Sequence, residues 1–308
     1  MTASITDLSS LPTLIRSNVS LASFTTMKAG GCAQWFSNPR TIAELQQVLL
    51  WANSNHQPIT MIGAGSNLLI SDQGLPGLII CTRQLRGITY DAVARTVTAA
   101  AGEPLARLAW QVADHGWSGF EWAVGIPGTV GGLVVMNAGA QGGCAADQLQ
   151  SVQALTYQGE SVNLYPQDLD FAYRTSNLQK DDCQLIVVGA TFQFPTGQDP
   201  LMIRQDTDHK LKQRHSTQPY HLANCGSVFR NPYPQAAGKL IEECGLKGYR
   251  IGNAEVSPMH ANFIINTGNA KSSDILRLIR YIQATVQTKF GITLEPEVKM
   301  LGSFADVT

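Results

Sequence analysis

The chain has 308 residues, 44% hydrophobic and 15% charged: room for two or three domains with substantial cores, and the composition of a globular rather than a disordered protein. Its 22 Lys+Arg against 23 Asp+Glu give a net charge of −1, so no global field draws it to nucleic acid or to an anionic membrane. No apolar run approaches the roughly 18 residues of a membrane span.

The opening, Met1-Thr2-Ala3-Ser4-Ile5-Thr6-Asp7, lacks the basic and apolar regions of a secretory signal, which predicts a cytoplasmic protein. Cys32, Cys81, Cys144, Cys183, Cys225 and Cys244 form no C-x-x-C pair, and the six histidines show no ligand spacing. The expectation is reduced thiols and no metal site. Thr41-Ile42-Ala43-Glu44 is a capping-box pattern, and the helix after it should bury Leu45, Val48, Leu49 and Ala52. Residues 58–62 read as a buried strand that stops at Gly63-Ala64-Gly65-Ser66-Asn67-Leu68-Leu69. Such a loop exposes successive N–H donors to anionic oxygens, but Leu68 stands where a Rossmann fingerprint needs its third glycine, and no Gly-Lys-Ser/Thr follows for a P-loop. A ligand loop and a plain tight turn both remain open on these residues alone.

Strands are expected at 77–80 and 94–99, then a helix from Pro104 that turns Leu105, Leu108, Ala109 and Val112 inward and ends at Gly116. Residues 125–143 carry seven glycines, where the chain average of 28 in 308 gives about two. That density, framed by Val124, Ile126, Val130, Leu133, Val134, Val135 and Met136, reads as backbone wrapping closely around something large and flat. The alternative is a glycine-rich turn region in a tight β structure. A strand follows at 184–192, and the basic stretch Arg204 to His215 reads as a solvated helix face, with a surface facing a diphosphate as the alternative. A short helix is expected over 235–244, a strand over 262–266, and a helix capped by Ser273 with Ile275, Leu278, Ile279, Ile282, Val286 and Phe290 inward before Gly291. The pattern is mixed α+β, with boundaries near residues 82 and 200.

Three polar clusters stand outside the loops: Tyr173-Arg174-Thr175-Ser176, Asn224-Cys225-Gly226-Ser227-Val228-Phe229-Arg230-Asn231-Pro232, and Leu294-Glu295-Pro296-Glu297-Val298. Read singly, each has a structural explanation: a surface pair for Arg174, a turn for Ser227, a solvated carboxylate for Glu297. Ser227 lies in no G-x-S-x-G elbow, which argues against a serine hydrolase.

The strand–G-A-G-S-N-L-L loop followed by G-I-P-G-T-V-G-G and N-A-G-A resembles the FAD-binding half of the UDP-N-acetylenolpyruvoylglucosamine reductase family, and Asn18–Leu21 with Thr25–Gly31 is similar to that family's start. The similarity runs from about residue 18 to residue 302, and the three polar clusters match the family's catalytic motifs in family order. What the resemblance implies is an α+β fold of the vanillyl-alcohol-oxidase type, with residues 1–81 and 293–308 as one FAD-binding subdomain, 82–199 as a second, and 200–292 as a substrate-binding domain. It implies FAD, with its pyrophosphate at Gly63, Ala64, Gly65, Ser66, Asn67 and Leu68. Gly125, Ile126, Pro127, Gly128, Thr129, Gly131, Gly132, Asn137, Ala138 and Gly139 would run along the diphosphate and isoalloxazine.

The implied reaction takes a hydride from NADPH by way of the flavin and reduces an enolpyruvyl ether to a lactyl ether on a UDP-sugar, a step of peptidoglycan precursor synthesis that bears on cell shape and division. By motif position Arg174, Ser227 and Glu297 carry over as catalytic: Arg174 to stabilise the enolate-like charge through its guanidinium fork, Ser227 to donate the proton. Glu297 either acts protonated or hydrogen-bonds to the substrate carboxyl group. Asn231 and Lys239 are implied substrate contacts, and Cys225 shares the face of Ser227 if that segment is extended. Only 52 residues separate Arg174 from Ser227, as in the shorter family form that lacks a tyrosine-bearing segment over the substrate, so no tyrosine is assigned as a lid. An FAD oxidase of small alcohols and a non-catalytic flavin-binding module are the competing readings, and nothing in the sequence sets the oligomeric state.

Overall fold

A computed structural model describes residues 11–195 and 199–305. The N-terminal segment in which no secretory signal was read lies outside them. The chain divides into two compact units: residues 1–16, 35–64 and 77–213 form the first, and 17–34, 65–76 and 214–308 the second.

The first unit is built on a five-stranded antiparallel sheet in the order Ser161–Leu164, Leu149–Thr156, Leu185–Gln193, Thr96–Ala100, Ile88–Asp91. Val152 faces Ala190 and Ala190 faces Ala99, while Thr98 and Thr191 join through their hydroxyls at 2.8 Å. The expected strand at 94–99 starts two residues late, because the Asp91 carboxylate accepts the N–H groups of Val93 and Ala94 and holds them in a turn. Helix Leu105–Asp114 buries Leu105, Leu108, Ala109 and Val112 against this sheet's aromatic core of Trp117, Phe120, Phe192 and Phe194. Pro104 is the residue before that helix rather than its first, with ψ 128°.

Helix Ile42–Ser54 behaves as its sequence predicts. The Thr41 side chain accepts from Glu44 N at 3.1 Å, and Leu45, Val48, Leu49 and Ala52 are the buried positions. Glu44 reaches back to the N–H of Arg40, one residue earlier than a capping box requires. Its apolar face packs on Leu78 and Ile80 of strand Leu75–Cys81, which runs parallel to Ile59–Ile62 in the register Ile62↔Cys81. Leu155 and Ile186 extend the same cluster into the five-stranded sheet.

The second unit holds a four-stranded antiparallel sheet, Ala223–Ser227, Phe263–Asn266, Ala254–Val256, Arg250–Ile251, and a parallel pair, Leu68–Ile70 with Lys299–Leu301. Helix Ser272–Phe290 turns Ile275, Leu278, Ile279, Ile282 and Val286 into its core and ends at Gly291, whose φ of +70° is the left-handed conformation glycine adopts without strain. The helix begins one residue before the Ser273 expected to cap it. The Asp72 carboxylate, 200 residues away, accepts the N–H groups of Ser272 at 2.8 Å and Ser273 at 2.9 Å and supplies the cap instead. The short helix covers Ala237–Glu243 rather than 235–244, because Asn231 Oδ1 accepts Ala237 N at 3.0 Å and sets its first turn there.

Candidate active site

The first glycine loop leaves strand Ile59–Ile62 with its carbonyl groups engaged from one side. Arg83 Nη2 donates to Ala64 O at 2.5 Å, Thr82 Oγ1 to Ile62 O at 3.4 Å, and Cys81 Sγ to Gly63 O at 3.8 Å. Among the described residues, the N–H groups of Ala64 and Gly65 donate to no protein acceptor. Thr129 is 4% exposed and its hydroxyl has no protein partner among the described residues. A Cβ on Gly63 would stand 2.8 Å from that hydroxyl. Unfilled N–H donors, a buried orphan hydroxyl and a glycine surface that a side chain would fill fit the diphosphate of FAD.

The second glycine segment folds as helix Val130–Val135 followed by a tight hairpin, Gly139–Ala140 with Gly143–Cys144. Part of its glycine excess serves protein packing rather than a ligand. A Cβ on Gly139 would meet Gly143 O at 2.3 Å, and one on Gly143 the Trp122 ring at 2.4 Å. Asn137 is likewise engaged within the protein: its Nδ2 donates to Ala172 O at 2.9 Å, and its Oδ1 accepts from Ala146 N at 3.1 Å.

That bond brings Arg174 to the segment. Arg174 sits at φ +55° in a turn closed by Ala172 and Thr175, and its Nη2 donates to Gly139 O at 2.5 Å. Gln179 holds the turn from below by donating to Arg174 O at 3.1 Å and Val135 O at 3.0 Å.

Ser227 and Glu297 come together in the second unit. Ser227 ends strand Ala223–Ser227 opposite Phe263, half-buried, and its hydroxyl has no protein partner among the described residues. The next residue, Val228, accepts from Glu297 N at 2.7 Å, Phe229 pairs with Pro296, and Arg230 N donates to Glu295 O at 2.9 Å. Asn262, 4% exposed, grips Phe229 by both backbone groups, its Oδ1 accepting at 3.0 Å and its Nδ2 donating at 2.8 Å. Asn67 acts in the same way on the other side: its Nδ2 donates to Glu297 O at 3.1 Å, and its own carbonyl accepts from Lys299 N at 3.0 Å. Leu68 lies in the strand that pairs with Lys299.

Cys225 does not share the surroundings of Ser227. A bulge and the +79° φ of Gly226 break the alternation, leaving the Cys225 thiol in the core with burial pushing its pKa up to about 12. Burial lowers the pKa of His260 below its ordinary value. Its Nδ1 accepts from Asn262 N at 3.2 Å, so it supports the residue that grips Phe229. Asn231 Oδ1 caps the Ala237–Glu243 helix, and Lys239, one turn into it, is exposed beside Glu243 at 3.8 Å.

Two groups near this chemistry carry no motif. Arg83 stands 19 residues beyond the Ala64 carbonyl it holds, and Glu103, 3% exposed, accepts Gly87 N at 2.9 Å beside Arg86 and Arg107 while its carbonyl accepts Val130 N. Both follow the ends of buried strands (Leu75–Cys81 for Arg83, Thr96–Ala100 for Glu103), which is the signal that could have found them.

Residues 33–165 match the family model of an FAD binding domain, and 218–301 that of the C-terminal domain of UDP-N-acetylenolpyruvoylglucosamine reductase. With a mixed α+β architecture and the loop geometry above, these define an FAD-dependent oxidoreductase with the vanillyl-alcohol-oxidase type of fold. The UDP-N-acetylenolpyruvoylglucosamine reductase of Synechococcus elongatus is 54% identical over 298 residues, 97% of this chain and 98% of that one. That of Acaryochloris marina is 53% identical over 294 residues, 96% and 95% of the two chains. The crystal structure of the Thermus caldophilus enzyme superposes with a TM-score of 0.79 at 33% identity, covering 94% of this chain and all of that one. The chain belongs to the UDP-N-acetylenolpyruvoylglucosamine reductase family. No helix among the described residues is long and apolar enough to cross a membrane, and no group of three or more His, Cys, Asp or Glu among them is arranged to hold a metal ion.

Proposed function

We propose that the protein reduces UDP-N-acetylglucosamine enolpyruvate to UDP-N-acetylmuramate in the cytoplasm, with NADPH as reductant, and so serves peptidoglycan synthesis, cell shape and division. FAD, held by residues 63–68 and 125–139, would supply the redox chemistry when bound, namely hydride transfer from NADPH to the terminal carbon of the substrate alkene. Negative charge then grows on the adjacent carbon and its carboxylate. Arg174, its fork fixed beside the glycine segment by Gly139 O, stabilises that charge. The Ser227 hydroxyl donates the proton to the adjacent carbon; a serine is a weak acid, but an enolate-like dianion is basic enough to take its proton. Glu297 hydrogen-bonds to the substrate carboxyl group and carries a proton to do so, because an ionised carboxylate would repel the forming charge.

On this reading residues 1–81 with 293–308 and residues 82–199 hold the cofactor. Residues 200–292 receive the UDP-sugar, with Lys239 and the Nδ2 side of Asn231 as polar contacts. What supports the reading most directly is the meeting of two motifs 70 residues apart: Glu297 N bonds to the carbonyl of the residue after Ser227, in a chain related end to end to the reductase family.

The test is stepwise. Purified protein is expected to be yellow, to bleach anaerobically with NADPH, and to regain colour with the enolpyruvyl substrate; bleached protein indifferent to that substrate overturns the assignment. Ser227→Ala should leave bleaching by NADPH nearly unchanged and slow recolouring by roughly 100-fold or more. Equal slowing of both steps removes Ser227 from the proton-donor role.

A further inference from the structure

We infer that Arg83 is a positioning residue for the FAD diphosphate, acting from behind the first glycine loop rather than touching the ring or the substrate. This rests on the FAD-dependent reading above and adds to it a residue outside every motif.

Three consecutive side chains, Cys81, Thr82 and Arg83, aim at three consecutive carbonyls, those of Gly63, Ile62 and Ala64. The Arg83 bond is the strong member because its donor is a cation; the thiol and hydroxyl contacts are long. In a trans peptide the C=O of one residue and the N–H of the next point in opposite directions. Drawing the Gly63 and Ala64 carbonyls toward residues 81–83 therefore turns the Ala64 and Gly65 N–H groups to the opposite side, where they meet no protein acceptor among the described residues. The buried, partnerless Thr129 hydroxyl stands within a Cβ's reach of Gly63. Arg83 thus fixes the direction of the loop's donors before any anion arrives, and its half-buried guanidinium adds a positive charge behind the Ala64–Gly65 peptide.

A residue acting this way affects ligands that carry the diphosphate and spares those that carry only the ring. The experiment measures affinities of the apoprotein for FAD, ADP and riboflavin by flavin fluorescence quenching and by displacement, in wild type, Arg83→Met and Arg83→Lys. Arg83→Met should weaken FAD and ADP by on the order of 10-fold or more and leave riboflavin within about 2-fold. Arg83→Lys, which keeps a charged donor, should recover most of that loss. If the methionine variant fails to fold, Arg83→Gln takes its place and should show the same split, FAD and ADP weakened and riboflavin within about 2-fold. Equal weakening for all three ligands makes Arg83 a general fold residue and overturns the proposal, as do unchanged affinities. A wild type that binds none of the three defeats the FAD-dependent reading itself, a result distinct from either.

Discussion

Cys225 and Ser227 stand two residues apart, and in a regular strand both would point the same way. Gly226 at φ +79° and the bulge after Asn224 part them: the thiol enters the core and the hydroxyl stays half-buried without a partner among the described residues. Cys225 is no substitute acid for Ser227 because its thiol is enclosed in the core, where burial also raises its pKa from 9.0 to about 12. The shift also has a sign in stability. Between pH 9 and about 12 the native state holds a proton that the unfolded chain releases, so this group's contribution is intact below pH 9 and declines as pH rises, by up to about 1.4 kcal/mol per pH unit. Urea unfolding of wild type against Cys225→Ala should therefore show a stability difference that narrows across this window. Iodoacetamide at pH 8 should modify the exposed Cys32 and spare Cys225; alkylation of both at one rate would place the thiol outside the core.

At the scale of elements, what divides legible from illegible is where the cap comes from. Helix Ile42–Ser54 carries Thr41 and Glu44 within its own first turn, so its start and its buried face can be read from 13 consecutive residues. Helix Ser272–Phe290 takes its cap from Asp72, and helix Ala237–Glu243 from Asn231, and their starts shift accordingly. Asp72→Ala should destabilise the protein by about 0.5–2 kcal/mol in urea unfolding, with Asp72→Asn losing less, since an amide oxygen still accepts one of the two N–H groups. An unchanged midpoint for Asp72→Ala would mean that solvent caps the helix equally well. The same contrast holds in the site: the glycine density of residues 125–143 is plain in the sequence, whereas its division between the Trp122 face, the Gly139–Gly143 hairpin and the Thr129 side is not.

Across the whole molecule, neither unit is a continuous stretch of chain; each gathers three segments around its own hydrophobic clusters. A local reading of composition marks where texture changes, near residues 82 and 200, but it has no means of seeing that residues 65–76 join the C-terminal core through Leu69. Cofactor binding adds a term at this scale. Free FAD at about 100 times its Kd stabilises the fold by about 2.7 kcal/mol if it binds only the native state. Protein stripped of FAD should consequently melt several degrees lower in calorimetry and recover on reconstitution. Identical melting of the two forms would contradict binding to the native fold.

The sequence by itself determined the α+β class, the helices that carry their own signals, the two glycine loops and the three polar motifs. Each of these is written in neighbouring residues, through periodicity, capping chemistry or motif spacing. Only the tertiary structure decided that Asn67 holds the Glu297 carbonyl, that Asn262 grips the residues after Ser227, that Gly139 holds the fork of Arg174 and that Arg83 turns the donors of the first loop. These bonds close over spans from 19 to 230 residues, and a hydrogen bond is directional within a few tenths of an ångström. Its partner is therefore chosen by how the packed chain brings backbone and side chain together, which no local run of residues specifies.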